Sequence, residues 1–168
     1  VGSEMCIRDR NGWWGNSAVA LSYEGLAWVT GAAIVLGGDL PSAPILIIAL
    51  LYSVGAHGIM TLNDFKSVEG DLQMGIRSLP AQLGRELAAK VACLFMLLPQ
   101  LAVIALLLHW QLPPYAAAVT MVVVAQCLAM KRLLSDPKEL APWYNATGVS
   151  LFVLGMMSAA LGLGRWFA

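Results

Sequence analysis

The order of apolar and polar positions divides this chain into long apolar segments separated by short polar ones. A membrane-spanning helix needs about 20 mostly apolar residues. Five segments fit that description, the fourth being the shortest: residues 18–37, 43–62, 87–108, 115–130 and 146–166. These runs are longer than barrel strands and lack a sustained period of two. We therefore predict an all-α fold, a polytopic transmembrane helical bundle.

The composition agrees with a membrane protein. Hydrophobic residues make up 59% of the chain and charged residues 12%, which is far from the averages of soluble proteins. The formal net charge of zero argues against a nucleic-acid partner. We expect the lipid bilayer to surround the chain, and no segment predicts a separate soluble domain.

Basic residues are distributed unequally over the two sides that five alternating spans define. Arg165 lies on one side, and the other side carries nine basic residues: Arg8, Arg10, Lys66, Arg77, Arg85, Lys90, Lys131, Arg132 and Lys138. Basic residues concentrate on the cytoplasmic side of membrane proteins. We therefore predict that the richly charged side is cytoplasmic.

The first ten residues, VGSEMCIRDR, do not have the pattern of a signal peptide, because no hydrophobic core of adequate length precedes a cleavage site. We expect residues 1–10 to be a truncated reading frame or a foreign junction, and we assign them no function.

Residues 63–83, NDFKSVEGDLQMGIRSLPAQL, form a polar segment between the second and third spans, which we call the polar loop. No Gly or Pro interrupts residues 59–69, so the second span is predicted to continue into it as one helix. That helix would place four residues on nearly one face, with Ser67 beside them: His57, Thr61, Asp64 and Asp71.

Glu69 lies on a different face of this predicted helix from Asp64. Glu69 is predicted to pair with Lys66, three residues earlier on the helix. Gly70 is the predicted end of the helix, which would leave Asp71 free to turn inward.

Carboxylates on one face at a membrane surface suit a hard cation. Mg²⁺ prefers carboxylate oxygens together with the phosphates of a substrate, so Asp64 and Asp71 are candidate metal ligands. Loss of diphosphate from an allylic carbon needs charge stabilisation, which Mg²⁺, Lys66 or Arg77 could supply. The alternative is a solvated charged loop in which Lys66 and Glu69 form an ion pair and Arg77 only sets the topology.

His57 lies inside the second span, where an ionisable residue is a functional candidate. Its neighbours Gly55, Ala56 and Gly58 allow another helix or a flat ligand to approach closely. Two roles stay open for His57: contact with a ligand, or a hydrogen bond between helices.

The polar loop resembles a motif of a known family. NDFKSVEGD followed by MGIRSLPAQLG is similar to the second Asp-rich motif of the UbiA-type intramembrane prenyltransferases, and SVEGD resembles their chlorophyll and bacteriochlorophyll synthase branch. The resemblance extends over nearly all of the chain from residue 11 onward and is strongest to the bacteriochlorophyll type. The matching stretches are NGWWGN at 11–16, YEGLAW at 23–28, GAHGIMTLNDF at 55–65 and WYNATGVSLFVLGM at 143–156.

The resemblance implies transfer of a geranylgeranyl or phytyl group from its diphosphate to the propionate carboxylate of bacteriochlorophyllide, in a bacterial inner or photosynthetic membrane. It also implies the roles of the site residues. Asp64 and Asp71 would hold Mg²⁺ and the diphosphate, and Lys66 and Arg77 would contact the diphosphate. Further binding candidates are Asn63, Ser67, Glu69 and His57, with Ser67 at a position that is often Asp in the family.

The family pattern has nine spans and a first Asp-rich motif, which is not found here. Residues 11–168 would therefore be the C-terminal part of a single UbiA-type domain, carrying half of the metal site and inactive alone. Two alternatives remain open: a non-catalytic pigment-binding or assembly protein, and a quinone or haem prenyltransferase of the same fold. The sequence leaves the oligomeric state undetermined.

Overall fold

The computed structural model describes residues 11–166, and every regular element in that range is helical. The all-α prediction is therefore confirmed for these residues, while the expectation for residues 1–10 lies outside them. The elements are α1 (Gly12–Ala20), a π-helical segment (Leu21–Leu26), α2 (Ala27–Val35), α3 (Ala43–Asn63), a 3₁₀ turn (Asp64–Lys66), α4 (Val68–Met74), α5 (Leu79–Leu83), α6 (Arg85–His109), α7 (Pro113–Leu133) and α8 (Pro137–Trp166).

Five helical segments in the described range are long and apolar enough to cross a membrane, as predicted: Gly12–Val35, Ala43–Lys66, Arg85–His109, Pro113–Leu133 and Pro137–Arg165. The first begins earlier than hydropathy indicates. The side chain of Asn11 accepts a hydrogen bond from the backbone N–H of Trp13 at 3.1 Å, which caps the helix. Hydropathy does not detect such a cap.

Helix α3 is the most buried of the five spans, and small residues allow its neighbours to approach closely. A Cβ at Gly58 would lie 2.4 Å from the carbonyl oxygen of Ala92 on α6, and one at Gly55 would lie 2.5 Å from the ring of Phe152 on α8. Position 58 therefore needs glycine, because its neighbour is backbone, whereas a larger residue at Gly55 would have to displace the ring of Phe152. This packing fixes α3 between α6 and α8, and with it the position of the polar loop.

The polar loop does not continue α3 as one straight helix. Helix α3 ends at Asn63, residues Asp64–Lys66 form a 3₁₀ turn, and Ser67 has φ −113° and ψ 5° before α4 begins. The prediction of a single helix is wrong at these residues. The 3₁₀ turn shifts the register of α4 relative to α3.

Helix α4 also passes through Gly70, which was predicted to end it. The helix ends instead at Gly75, which has φ 68°, a left-handed conformation that glycine adopts without strain. The N–H of Ile76 then donates to the carbonyl oxygen of Asp71 at 2.8 Å, as in a Schellman motif. This turn reverses the chain, and Ser78 returns to Asp71.

The beginning of α1 packs against the reversed part of the polar loop. The N–H of Gly12 donates to the carbonyl oxygen of Arg77 at 2.8 Å. A Cβ at Gly12 would lie 2.6 Å from the backbone nitrogen of Leu79, so only glycine permits this contact. At the same end of the bundle, Asn145 of α8 donates to the side chain of Asn63 at 2.9 Å.

Candidate functional site

A cavity of about 220 Å³ lies where α1 meets the polar loop. We call it the polar cavity. It is lined by seven residues from α1, the 3₁₀ turn, α4 and the reversed chain: Gly12, Asn16, Asp64, Ser67, Asp71, Ile76 and Ser78. The structure therefore brings the two predicted metal ligands to the same cavity, although not through one continuous helix.

Asp71 is 8% exposed, and its described partners are neutral hydroxyls. Ser78 Oγ donates to Asp71 Oδ2 at 2.6 Å, and Ser67 Oγ donates to the same oxygen at 3.2 Å. Among the residues that the structure describes, no basic side chain forms an ion pair with Asp71. Burial of a carboxylate is unfavourable unless its charge is compensated, so this site favours a cation.

Asp64 receives a partner from a distant part of the chain. Asn16 Nδ2 lies 3.1 Å from Asp64 Oδ2 and donates to it. The same amide nitrogen lies 3.4 Å from the hydroxyl oxygen of Thr61, and Thr61 donates to the carbonyl oxygen of His57 at 2.9 Å. One amide on α1 thus connects the carboxylate to the last turns of α3.

The chemistry of the polar cavity fits a hard divalent cation. Its polar side chains offer carboxylate, amide and hydroxyl oxygens, which Mg²⁺ accepts as ligands. No group of three or more His, Cys, Asp or Glu side chains in the described part of the chain is arranged to hold a metal ion. The site therefore offers two carboxylates, and the phosphates of a substrate would supply the further oxygen ligands that a cation needs.

The two basic candidates of the polar loop do not line the polar cavity. Lys66 is exposed in the 3₁₀ turn. Arg77 lines a separate cavity of about 430 Å³ together with Gln82. The backbone carbonyl of Arg77 is the group that contacts α1, since it accepts hydrogen bonds from Gly12 and Gln82.

Glu69 pairs with residues outside its own helix. It forms an ion pair with Arg85 of α6 and lies 3.8 Å from the ammonium of Lys138 on α8. The predicted pair with Lys66 is wrong, because α4 turns Glu69 toward the first turn of α6. The hydrogen bond from Arg85, with smaller effects of a backbone hydrogen bond and of both cations, lowers the pKa of Glu69. Glu69 lies outside the polar cavity and links α4 to α6 and α8 through these charge contacts.

His57 is 3% exposed, and its ring is enclosed by aromatic side chains. Its Nδ1 lies 3.2 Å from Ser17 Oγ on α1, so the predicted contact between helices is present. Its Nε2 is buried without a hydrogen-bond partner among the described residues. The ring centroid lies 5.9 Å from that of Trp13 and 4.4 Å from that of Phe95.

A second cavity, which we call the apolar groove, also reaches the beginning of α1. It has a volume of about 520 Å³ and lies between α3 and α6, with Trp13 of α1 as one wall. Trp13 directly follows Gly12, which lines the polar cavity, so each cavity has a lining residue at the beginning of α1. The groove is lined by Trp13, Leu51, Val54, Val91, Leu94, Phe95, Leu98, Pro99 and Ala102.

Four residues of the polar cavity were not assigned from the sequence: Gly12, Asn16, Ile76 and Ser78. Asn16 lies 48 residues before Asp64, and helical periodicity relates only residues a few turns apart. The available signal was the stretch NGWWGN, which places two amide residues at the beginning of an apolar span. Ser78 carried no signal, because its contact depends on the reversal at Gly75.

Comparison with known proteins now adds to this geometry. Residues 9–154 match the UbiA prenyltransferase family. The chain belongs to the UbiA prenyltransferase family. UbiA prenyltransferases generally use divalent metal ions, in agreement with the oxygen donors of the polar cavity. Together with the five apolar helical segments, family membership makes the chain an integral membrane protein.

The relatives that the chain matches include bacteriochlorophyll synthase chains and chlorophyll synthases. The chain is 57% identical over 154 residues to the bacteriochlorophyll synthase 33 kDa chain of Cereibacter sphaeroides, covering 92% of this chain and 51% of that protein. It is 49% identical to the 34 kDa chain of Chloroflexus aurantiacus, covering 92% and 49%. It is 37% identical to the chloroplastic chlorophyll synthase of Arabidopsis thaliana, covering 90% and 39%.

The chain thus spans about half the length of the bacteriochlorophyll synthase chains that it matches. No solved structure matches it.

Proposed function

We propose that the chain is the C-terminal half of a bacteriochlorophyll synthase, which transfers a geranylgeranyl or phytyl group from its diphosphate to the propionate carboxylate of bacteriochlorophyllide. The observation that carries this proposal is that the polar cavity and the apolar groove are lined by neighbouring residues, Gly12 and Trp13, at the beginning of α1. A prenyl diphosphate has a charged head and an apolar tail, and needs both environments side by side. The identity to bacteriochlorophyll synthase chains supports the choice of acceptor.

The polar cavity would hold the diphosphate. Asp64 and Asp71 would hold Mg²⁺ there, and a bound Mg²⁺ supplies positive charge to the departing diphosphate oxygens. Asn16, Ser67 and Ser78 orient the two carboxylates by donating hydrogen bonds to them. Lys66 and Arg77, which lie outside the cavity, would contact the outer phosphate oxygens.

The apolar groove would hold the prenyl tail. Its wall on α6 extends from Val91 to Ala102, which corresponds to about 16 Å along the helix axis at 1.5 Å per residue. Its lining is almost entirely hydrocarbon, so an isoprenoid chain buries its surface there favourably. The groove thus directs the first carbon of the chain toward Trp13 and the polar cavity.

The reaction needs positioning rather than a strong base. The propionate of the acceptor is already ionised at neutral pH. Its oxygen forms a bond to the first carbon of the prenyl chain, and the bond from that carbon to the diphosphate oxygen breaks, its electron pair leaving with the diphosphate. The protein residues hold the two substrates in line and exclude water from the reacting carbon.

We also propose that the polar cavity faces the cytoplasm of a bacterial inner or photosynthetic membrane. Exposed basic residues surround that end of the bundle, among them Lys66, Arg77, Lys131 and Lys138, and such residues favour the cytoplasmic side. Labelling of a cysteine introduced at Gln73, in sealed vesicles of known orientation, would show on which side the polar loop lies.

The test of the function combines this chain with the N-terminal half of the Cereibacter sphaeroides relative in one membrane. We expect esterification of bacteriochlorophyllide from Mg²⁺ and geranylgeranyl diphosphate by the combination, and none by the 168-residue chain alone. Ester formation by the chain alone would contradict the proposal that the chain carries only half of the metal site. A folded combination that yields no ester would contradict the proposed reaction.

Substitution of the two carboxylates tests their role within that combination. Asp64→Asn and Asp71→Asn should each lower the rate at least about 100-fold, because they remove charge that would stabilise the leaving group through the cation. Asp136→Asn is the matched control, since Asp136 caps α8 by accepting from the N–H of Glu139. Full turnover in both cavity variants, with normal membrane insertion, would contradict the assignment of Asp64 and Asp71 to the metal site.

A further inference from the structure

One ring nitrogen of His57 has no partner although it is buried. Nδ1 contacts Ser17 Oγ at 3.2 Å, whereas Nε2 has no hydrogen-bond partner among the described residues. Buried polar atoms almost always have a partner in the protein, in water or in a ligand. Nε2 therefore marks a place where a ligand atom can bind.

The hydroxyl of Ser17 is the described partner of the other ring nitrogen, Nδ1. Other helical hydroxyls of this chain donate to the carbonyl oxygen four residues earlier: Ser53, Thr61, Thr120, Thr147, Ser150 and Ser158. Within the described residues, Ser17 has no acceptor other than Nδ1 of His57. When this hydroxyl donates to Nδ1, the ring hydrogen lies on Nε2. In that tautomer Nε2 is a hydrogen-bond donor.

The position of His57 relates it to both cavities. The ring lies beside Trp13 and Phe95, which line the apolar groove. Asp64 of the polar cavity follows His57 by seven residues, about 10 Å along the helix axis. Between them, Thr61 contacts the amide of Asn16 that binds Asp64. His57 therefore packs against two lining residues of the groove and lies on the same helix that leads to the polar cavity.

We propose that His57 donates a hydrogen bond from Nε2 to the carboxylate of the acceptor substrate and holds that carboxylate against the first carbon of the prenyl chain. This rests on the proposed function. A separation of about 10 Å along the helix leaves room for the leaving diphosphate oxygen, the reacting carbon and the attacking oxygen in one line. A hydrogen on Nε2 also leaves that nitrogen no lone pair, so it does not ligate the metal of the macrocycle.

Access to Nε2 requires a side chain to move. The atom is enclosed in this structure, and Trp13, which stacks on the ring, is 37% exposed. Trp13 is more exposed than Phe95, so we expect Trp13 to be the neighbour that moves when the acceptor enters. The same movement would open the groove at the beginning of α1.

The tautomer can be measured on this chain without any turnover. Nitrogen-15 NMR of the detergent-solubilised, histidine-labelled protein reports both ring nitrogens of its two histidines, and His109→Phe identifies the signals of His57. We expect a protonated Nε2 and an unprotonated Nδ1, with loss of this preference in Ser17→Ala. A protonated Nδ1 with an unprotonated Nε2 would overturn the proposal.

The role in binding is tested by kinetics of the complete enzyme. His57→Phe keeps a ring between Trp13 and Phe95 and removes the donor, so the KM for the acceptor should rise at least about tenfold, as expected for one lost hydrogen bond to a charged oxygen. The KM for the prenyl diphosphate should not change. His57→Gln, which retains an N–H near Nε2, should recover part of the loss, and His109→Phe is the control.

This role would be overturned by a raised KM for the prenyl diphosphate instead, by equal defects in the Phe and Gln variants, or by a changed absorption spectrum of the bound macrocycle in His57→Phe, which would indicate lost axial ligation. Unchanged kinetics of His57→Phe in an active enzyme would refute the role of His57 but not the proposed function. Absence of esterification by the unmodified enzyme would refute the proposed function.

Discussion

Ser78→Ala tests the polar cavity directly, because it removes one hydrogen bond from the buried carboxylate and little else. Ser78 Oγ donates to Asp71 Oδ2 at 2.6 Å, and both side chains are buried. A hydrogen bond to a charged group contributes about 1.5–3 kcal/mol, and loss of a partner behind a metal-ligating carboxylate lowers metal affinity about 10- to 100-fold. Ser67 still donates to the same oxygen. We therefore expect the lower limit, about a tenfold loss of Mg²⁺ affinity, or about 1.4 kcal/mol.

Two measurements report this loss. The Mg²⁺ concentration that gives half-maximal esterification should rise about tenfold in Ser78→Ala. Mn²⁺ binding to the purified chain, followed by electron paramagnetic resonance, should weaken similarly and does not depend on turnover. Ser67→Ala should have a smaller effect, because its hydrogen bond to Asp71 is longer at 3.2 Å and the same hydroxyl is shared with the carbonyl oxygen of Asp64 at 3.2 Å.

Ser135→Ala is the matched control for these measurements. The hydroxyl of Ser135 donates to the carbonyl oxygen of Arg132 at 2.7 Å in the exposed connection between α7 and α8, far along the chain from the polar loop. Its removal should leave metal binding unchanged. If Ser78→Ala kept the metal dependence of the unmodified protein and lost only thermal stability, that result would refute Asp71 as a metal ligand. The hydrogen bond from Ser78 to Asp71 would then only stabilise the fold.

Two further predictions concern how the polar loop is held. Gly12→Ala should lower the free energy of unfolding by about 1–3 kcal/mol, because its Cβ would meet the backbone of the polar loop. Gly31→Ala is the control and should not lower it, because a Cβ there meets nothing within 4 Å. Equal thermal midpoints of the two variants in detergent would contradict the contact at Gly12. Arg85 lowers the pKa of Glu69, so this ion pair stabilises the fold above the unfolded pKa of Glu69, and the stabilisation is lost as pH falls through the folded pKa. Glu69→Gln should therefore lower the thermal midpoint at neutral pH but not in acid. An equal drop of the thermal midpoint at neutral and acid pH would contradict this role of the ion pair.

The five spans could be predicted from the sequence because each depends on properties that the sequence carries locally. An apolar run of sufficient length forms a helix in a bilayer whatever lies beside it, since its backbone polar groups must be satisfied internally. The ends of the spans were less predictable. The beginning of the first span depends on a hydrogen bond from the N–H of Trp13 to Asn11, and a window of average hydropathy does not resolve it.

The polar cavity was only partly predictable. Its carboxylates, Asp64 and Asp71, were selected because charge is rare in this chain, but the predicted route was a straight helix. The structure reaches the same juxtaposition through a 3₁₀ turn and the reversal at Gly75. The hydrogen bond from Asn16 depends on how α1 packs against α3, which no local pattern specifies.

The placement of charge in the described residues also constrains how a diphosphate would bind. Two carboxylates, Asp64 and Asp71, line the polar cavity, whereas Arg77 lies in a separate cavity and Arg85 is neutralised by Glu69. Like charges a few ångströms apart repel each other strongly when partly buried, so a diphosphate would not enter next to these carboxylates without positive charge between them. A divalent cation shared by carboxylate and phosphate oxygens supplies that charge. The proposed substrate and its cation should therefore bind together, each raising the affinity of the other by the same factor.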